Sequence, residues 1–281
     1  LFSFEDGQRI LNLSGYTDLA QLPTGLSQLK NLQALSFSLE EIKYLPTDIS
    51  QLTNLKWLYL NIDKLGYLPA EFGRLSNLKQ LILENMYDLK DLPAEFSQLS
   101  SLEEIKLLHC GFMAVPKPIF ELTNLKKLKF TVKSGIHCVV YPKIAYLHQF
   151  QELEIVGTFA HYLPDEIVEL SPLDKLKINC LYLEKSPESI GKLQNLKELR
   201  CYGSDNSITS IPDSLSQLTS LQLFNLASLG TGHIPEVLFK MPFLQTLLFD
   251  SEAPQKEIER LKKALPNRDR KFTKDSVSGF P

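Results

Sequence analysis

Residues 68–83 read LPAEFGRLSNLKQLIL, and residues 92–107 read LPAEFSQLSSLEEIKL, one step of 24 residues further on. A catalytic motif has no reason to recur at a fixed step. A unit that can bury its apolar face only against copies of itself must do so. Working outward from this pair, proline recurs at Pro23, Pro46, Pro69, Pro93, Pro116, Pro142, Pro164, Pro187, Pro212 and Pro235, in steps of 23, 23, 24, 23, 26, 22, 23, 25 and 23. The third residue after each proline is apolar: Leu26, Ile49, Phe72, Phe96, Ile119, Ala145, Ile167, Ile190, Leu215 and Leu238. Leucine stands six residues after the proline in eight of the ten units, with His148 and Met241 the exceptions, and nine after it in nine, with Gln151 the exception.

Each unit divides into two local structures. Stretches such as Leu58–Tyr59–Leu60 alternate with period two and read as short strands. In Pro-x-Glu-φ-x-x-Leu, as in 69–75, proline falls in a first helical turn, where its missing N–H costs nothing. Asp48, Glu71, Glu95 and Glu166 lie near that end, as the helix dipole favours. Asn31, Asn54, Asn77, Asn124 and Asn195 precede strand-opening leucines and read as turn residues that return the chain to the sheet. Eleven strands follow, centred on Leu11, Leu35, Leu58, Leu81, Ile105, Leu128, Leu153, Leu176, Leu199, Phe224 and Leu247.

This pattern resembles the leucine-rich repeat, in the proline-containing form of roughly 23 residues found in many bacterial proteins and intracellular signalling scaffolds. The resemblance covers residues 9–250. It implies an α/β fold: a right-handed solenoid (horseshoe) with a concave parallel sheet of about 11 short strands and short helices or 3-10 turns on the convex side. One feature departs from the family. Eight residues after the strand-opening leucine the family places Asn or Cys, whose side chain bonds neighbouring backbone. Here that place holds Asp63, Met86, Cys110, Lys133 and Leu181, so only Cys110 fits. An irregular or wider turn after the strand is expected. The chain reads as a single solenoid, with an N-terminal cap over 1–8, in which Phe2 and Phe4 alternate as a covering strand. A C-terminal capping segment follows over 251–272, where 255–265 form a helix with Ile258, Leu261 and Leu265 on one face. Residues 273–281 read as a tail.

Composition narrows the function. The chain has 281 residues, 43% hydrophobic and 22% charged, with net charge −3. That weakly acidic balance argues against a nucleic-acid partner, which leaves a basic footprint. No apolar run approaches the ~18 residues of a membrane span. No signal-peptide pattern opens the chain, but it begins at Leu1 rather than Met, so both cytoplasmic and secreted settings stay open. Cys110, Cys138, Cys180 and Cys201 share no close spacing and read as free, buried thiols. There is no Gly-rich phosphate loop, CxxC or HExxH. His109–Cys110, His137–Cys138 and His161 fall in adjacent units, but at shifting offsets that do not make a four-ligand metal site. No enzyme activity, metal or cofactor is expected.

The outward residues of the strands form columns. The first reads Ile10, Ala34, Trp57, Gln80, Glu104, Lys127, Glu152, Lys175, Glu198, Leu223 and Thr246. From Glu104 to Glu198 the charge alternates strand by strand, which predicts cross-strand pairs. The second column includes Ser36, Tyr59, Ile82, Lys106, Lys129, Glu154, Lys177 and Arg200. The third includes Ser38, Asn61, Glu84, Leu108, Thr131 and Tyr202. Trp57, the sole tryptophan, shares a strand and face with Tyr59, and Ile82 follows on the next strand. Small residues Ala34, Ser36 and Ser38 could leave room around the rings. Aromatics with a polar tip are favoured interface anchors.

The expectation is a monomeric, non-enzymatic scaffold that binds a protein partner on its concave face. Trp57, Tyr59, Ile82, Asn61, Glu84, Lys106, Lys129, Arg200 and Tyr202 are the candidate contacts. A bacterial secreted, surface or effector-type protein is one setting that the resemblance implies. The alternatives are the recognition domain of a larger receptor or effector, and a glycan or small-ligand module. The irregular stretch 131–149 is a second candidate surface, because loops on a rigid scaffold often carry binding.

Overall fold

A computed structural model describes residues 2–5, 8–14, 25–39, 42–132, 140–156, 163–179, 188–202, 211–229, 233–251 and 254–265. The chain forms two compact units, Leu1–Ile136 and His137–Pro281. The first holds β1 (Phe2–Glu5), β2 (Gln8–Asn12), β3 (Ala34–Ser38), β4 (Trp57–Asn61), β5 (Gln80–Glu84), β6 (Glu104–Cys110) and β7 (Lys127–Val132). The second holds β8 (Glu152–Val156), β9 (Lys175–Asn179), β10 (Glu198–Tyr202), β11 (Leu223–Leu229), β12 (Thr246–Ser251) and helix α1 (Gln255–Ala264). β1 runs antiparallel to β2, pairing Phe2 with Leu11. The pairs β2–β3 through β6–β7 and β8–β9 through β11–β12 are parallel.

The register explains the core. Leu35, Leu58, Leu81, Ile105 and Leu128 stand opposite one another on successive strands, and all are almost fully buried. Period-two alternation turns every second residue of β4 inward and leaves Trp57, Tyr59 and Asn61 half-buried on the other face. Each buried leucine contributes roughly 1.5–3 kcal/mol against exposure.

After the three-residue turn Leu26–Gln28, the segments opposite the strands are 3-10 turns of five residues, such as Thr47–Gln51 and Ala70–Arg74. Pro46 and Pro69 sit just before them in extended conformation, and their carbonyls accept the N–H of Ile49 at 3.1 Å and of Phe72 at 3.0 Å. In a 3-10 turn residues three apart eclipse each other, so the third and sixth residues after proline both face inward. Hence Phe72 and Leu75, and Phe96 and Leu99, are fully buried. The phenylalanines of the two duplicated stretches stack on each other, with ring centres 6.1 Å apart and planes within 5°.

One unit is read differently in the structure than in the sequence. Around Pro142 the cap is Tyr141, with φ −78° and ψ 149°, and Pro142 is the first residue of the turn Pro142–Tyr146. Counted from Tyr141, the inward positions are Ile144, Leu147 and Phe150, all buried. The apparent exceptions His148 and Gln151 are exposed, and Ala145 is not the inward residue. The unit is regular; proline has moved one place.

The recurrent asparagines do more than turn the chain. The side-chain amide of Asn54 donates to the carbonyl of Lys30, Asn77 to Thr53, Asn124 to Ser100 and Asn195 to Ser171, each at 2.8 Å. Each bond reaches back one repeat. The backbone-bonding ladder absent from the family's usual place stands here instead. In that usual place Met86 is fully buried, and the Cys110 thiol donates to the Leu83 carbonyl at 3.4 Å. Asn85 and His109, immediately before them, have φ of 54° and 53°, and the β6–β7 register shifts between Leu108 and Cys110. The expected irregular turn is this left-handed step. Burial pushes the Cys110 thiol up to about 12, so it stays protonated at neutral pH. Lys133 and Leu181 lie outside the described residues, as do residues 266–281.

In the second unit α1 docks on the last repeat. Leu261 and Leu265 are buried, and Arg260 grips Glu236 with two bonds of 2.7 and 2.9 Å. Glu257 accepts the Ile234 N–H at 2.7 Å and lies 2.8 Å from His233 Nδ1. The Ile234 bond first, then His233, holds the Glu257 carboxyl below the usual carboxylate range. A carboxyl depressed by folding stabilises above its unfolded pKa, and the contribution is lost as pH falls through the folded value. The contribution of the Glu257 carboxylate to α1 docking is therefore expected to be lost only as pH falls below the ordinary glutamate range. The Ile234 amide-proton shift should titrate with a midpoint below that of an ordinary glutamate. Glu257→Gln should abolish the titration; a midpoint at the ordinary value would contradict this account.

Candidate partner-binding face

The outward residues of β3–β6 build the candidate site. The register sets Trp57 between Ala34 and Gln80, and Tyr59 between Ser36 and Ile82. The rings of Trp57 and Tyr59, two residues apart on one face of β4, lie 6.3 Å apart with planes within 14°. The small residues on β3 do not leave open room around them. Ala34 and Ser36 are 4% and 7% exposed, and the Ser36 hydroxyl is bonded to that of Ser14 at 2.8 Å. The aromatics thus rest on a filled, rigid base.

A polar arrangement fixes Tyr59. Its hydroxyl donates to Glu84 Oε2 at 2.8 Å and accepts from the Asn61 amide at 3.2 Å. Burial, then the bond to Glu84, raises the Tyr59 pKa above the usual phenol value. The phenol stays neutral at physiological pH and remains a donor. Five expected contacts, Trp57, Tyr59, Asn61, Ile82 and Glu84, therefore share adjacent positions on β4 and β5. Lys106 follows on β6, opposite Ile82.

The charges pair differently from the strand-by-strand expectation. Lys175–Glu152 at 2.9 Å and Lys177–Glu154 at 3.4 Å do cross between strands. Glu104 instead pairs along its own strand with Lys106 at 2.9 Å, and Glu198 does so with Arg200. A residue two places along a strand shares its face, so it competes with the cross-strand neighbour. Lys106 and Arg200 are thereby neutralised by their own glutamates. Lys129 lies opposite Lys106 on β7. Arg200 belongs to the second unit, and the Tyr202 side chain lies outside the described residues.

Of the second candidate surface, 133–139 lie outside the described residues, and 140–149 belong to a regular repeat. His109 is exposed, while His137, Cys138, His161 and Cys180 lie outside the described residues. Among the described residues no three His, Cys, Asp or Glu side chains converge as metal ligands. No helix among them is long and apolar enough to cross a membrane.

The rim of the first unit was missed in the sequence. Tyr44 and Tyr67, 62% and 58% exposed, project from equivalent places in consecutive repeats, just ahead of Leu-Pro. Their signal was the YLP written at both 44–46 and 67–69.

No family profile matches the chain. It is 29% identical over 152 residues to the Disease resistance-like protein DSC1 of Arabidopsis thaliana, a match that takes in 52% of this chain and 12% of that protein. The plant peptide hormone receptor RGFR1 in complex with RGF2 superposes with TM-score 0.60 at 20% identity, covering 86% of this chain and 40% of the receptor. The leucine-rich repeat domain of the type III effector XopL gives 0.55 at 21% identity, covering 91% and 79%. An internalin of Listeria monocytogenes gives 0.54 at 15%, covering 95% and 87%. Repeat, register and these folds agree that the chain is a leucine-rich repeat protein. Its units are of the proline-bearing kind, and with Tyr141 as the anchor of its repeat they step by 23 to 25 residues.

Proposed function

We propose that the protein is a non-enzymatic recognition module that binds a protein partner on the exposed face of β3–β6. The observation that carries this reading is the contiguous Trp57–Tyr59–Ile82 surface. Three large side chains stand half-buried in register on two adjacent strands, over a base already packed by Ala34 and Ser36. Their outer surfaces stay partly exposed, and a contiguous apolar patch of this kind marks a binding surface. The elements around it are regular strands, so the anchors are preorganised and little ordering entropy opposes binding. The fold is also that of a plant receptor solved in complex with RGF2.

A second reading follows from the curated match. The chain covers only 12% of that plant protein, and in this second reading the module is the recognition domain of a larger receptor or effector. Both readings place the partner on the same face.

The test is affinity capture from candidate lysates, with wild type and Trp57→Ala side by side, their folding checked by circular dichroism. A hot-spot tryptophan costs 2 kcal/mol or more on truncation, so the captured protein should bind Trp57→Ala about 30-fold more weakly. Hydrogen exchange of the complex should show protection at β4 and β5. A partner that binds both forms equally and protects neither strand would reject this face as the site.

A further inference from the structure

Among the strand residues whose side chains are described, five carboxylates stand on the exposed sheet faces: Glu84, Glu104, Glu152, Glu154 and Glu198. Four have a cation on the same face: Glu104 has Lys106, Glu152 has Lys175, Glu154 has Lys177, and Glu198 has Arg200. Glu84 is the exception. Its side chain is met by the neutral Tyr59 hydroxyl. Its register neighbours are Asn61 and Leu108, neither charged. Lys106, two residues before Leu108 on β6, is committed to Glu104 at 2.9 Å. Of these five, the one carboxylate without an ion pair thus adjoins the aromatic patch.

We infer that the bound segment of the protein partner carries a lysine or arginine that seats on Glu84, while a nearby apolar side chain covers Trp57 and Ile82. This rests on the partner-binding reading of the face. Tyr59, whose hydroxyl also accepts from Asn61, holds the acceptor in place, so the carboxylate is presented rather than free to swing. The Tyr59 ring beside it adds an electron-rich surface that favours a cation. A neutral oligosaccharide would stack on the rings but would leave Glu84 without a countercharge. Charge complementarity therefore selects a basic peptide segment over a sugar.

The spacing is also set. Glu84 lies two residues beyond Ile82 on β5, about 7 Å along the strand, and is level with the far end of β4 from Trp57, about 13 Å away. An extended peptide advances about 3.3 Å per residue. The basic residue should therefore fall two to four places from the apolar one.

The experiment selects short acetylated, amidated random peptides on the full chain and on its Glu84→Gln, Glu84→Asp and Trp57→Ala variants. Glutamine keeps an acceptor for Tyr59 but removes the charge. The expected wild-type result is enrichment of Lys or Arg two to four places from an aromatic or aliphatic residue, with affinity falling as salt rises. The best peptide should bind Glu84→Gln about 10-fold more weakly, and Glu84→Asp should retain most of the binding. Enriched peptides without a basic residue, or equal binding to wild type and Glu84→Gln, would overturn this inference and spare the partner-binding reading. Enrichment no greater on wild type than on Trp57→Ala, or an oligosaccharide held at Trp57 in place of any peptide, would overturn both.

Discussion

Phe96→Ala is expected to cost about 3–5 kcal/mol of stability. Phe96 is fully buried, and its ring lies against that of Phe72 in the preceding repeat at 6.1 Å. In a repeat fold, stability is close to a sum of unit terms and nearest-neighbour interface terms. Truncating a ring that sits between repeats weakens both kinds at once. The cavity is hard to close, because Phe72 and Leu99 are pinned by 3-10 turns whose carbonyls are already bonded. Denaturant unfolding followed by the Trp57 fluorescence should show a lowered midpoint with an unchanged slope. Phe96→Ile is the informative partner, since isoleucine (Ile119) fills the same place in the next repeat. It should cost about 1.5 kcal/mol or less. A loss below about 1 kcal/mol for the alanine variant would mean that the turns can collapse onto one another.

The strands were legible because they obey two periods at once: alternation within the strand, and the repeat step between strands. All eleven expected centres fall inside β2–β12. The unit at Pro142 was misaligned because proline was taken as the anchor. What the fold requires there is an extended residue whose carbonyl caps a 3-10 turn, and Tyr141 supplies it as well as proline does. The asparagine ladder was hidden for another reason. Its residues were visible at fixed spacing, but a turn preference explains a lone asparagine equally well. Only the stacking of repeats brings the amide of Asn77 within 2.8 Å of the Thr53 carbonyl.

The candidate binding face was legible only in outline. Period two says which residues point outward, and the register says which are neighbours. Neither says how a flexible side chain chooses between two partners at similar range. Lys106 and Arg200 were expected as open contacts, yet each folds back to a glutamate two places away on its own strand. The unpaired state of Glu84 follows from those choices, so it could not be read before them.

Gly73→Ala is expected to cost about 3 kcal/mol, at the upper end of overpacking effects, for a reason written in the repeat steps. A Cβ at Gly73 would lie 2.1 Å from the Glu95 carbonyl oxygen and 2.8 Å from its carbon. These are backbone atoms of the next repeat's turn and cannot rotate away. The same place, four residues after the proline, holds Ser50 and Ser97 in the flanking repeats. Those repeats step to the next by 23 residues, whereas the step from Pro69 to Pro93 is 24. In the second unit Gly191 recurs ahead of the 25-residue step to Pro212, and a Cβ there would lie 2.4 Å from the Ser214 carbonyl oxygen. The 25-residue step from Pro116 to Tyr141 carries Phe120 at this place, so glycine accompanies these two longer steps and not every one; at Gly73 and Gly191 the inserted residue and the missing side chain compensate each other. Gly66→Ala is the matched control: nothing lies within 4 Å of its Cβ, and losing unfolded-state freedom should leave it neutral or stabilised by about 0.4–1 kcal/mol. Thermal unfolding of the two variants should therefore shift in opposite directions. A Gly73→Ala chain as stable as Gly66→Ala would show that the turn at Glu95 yields, and would remove the link between step length and glycine.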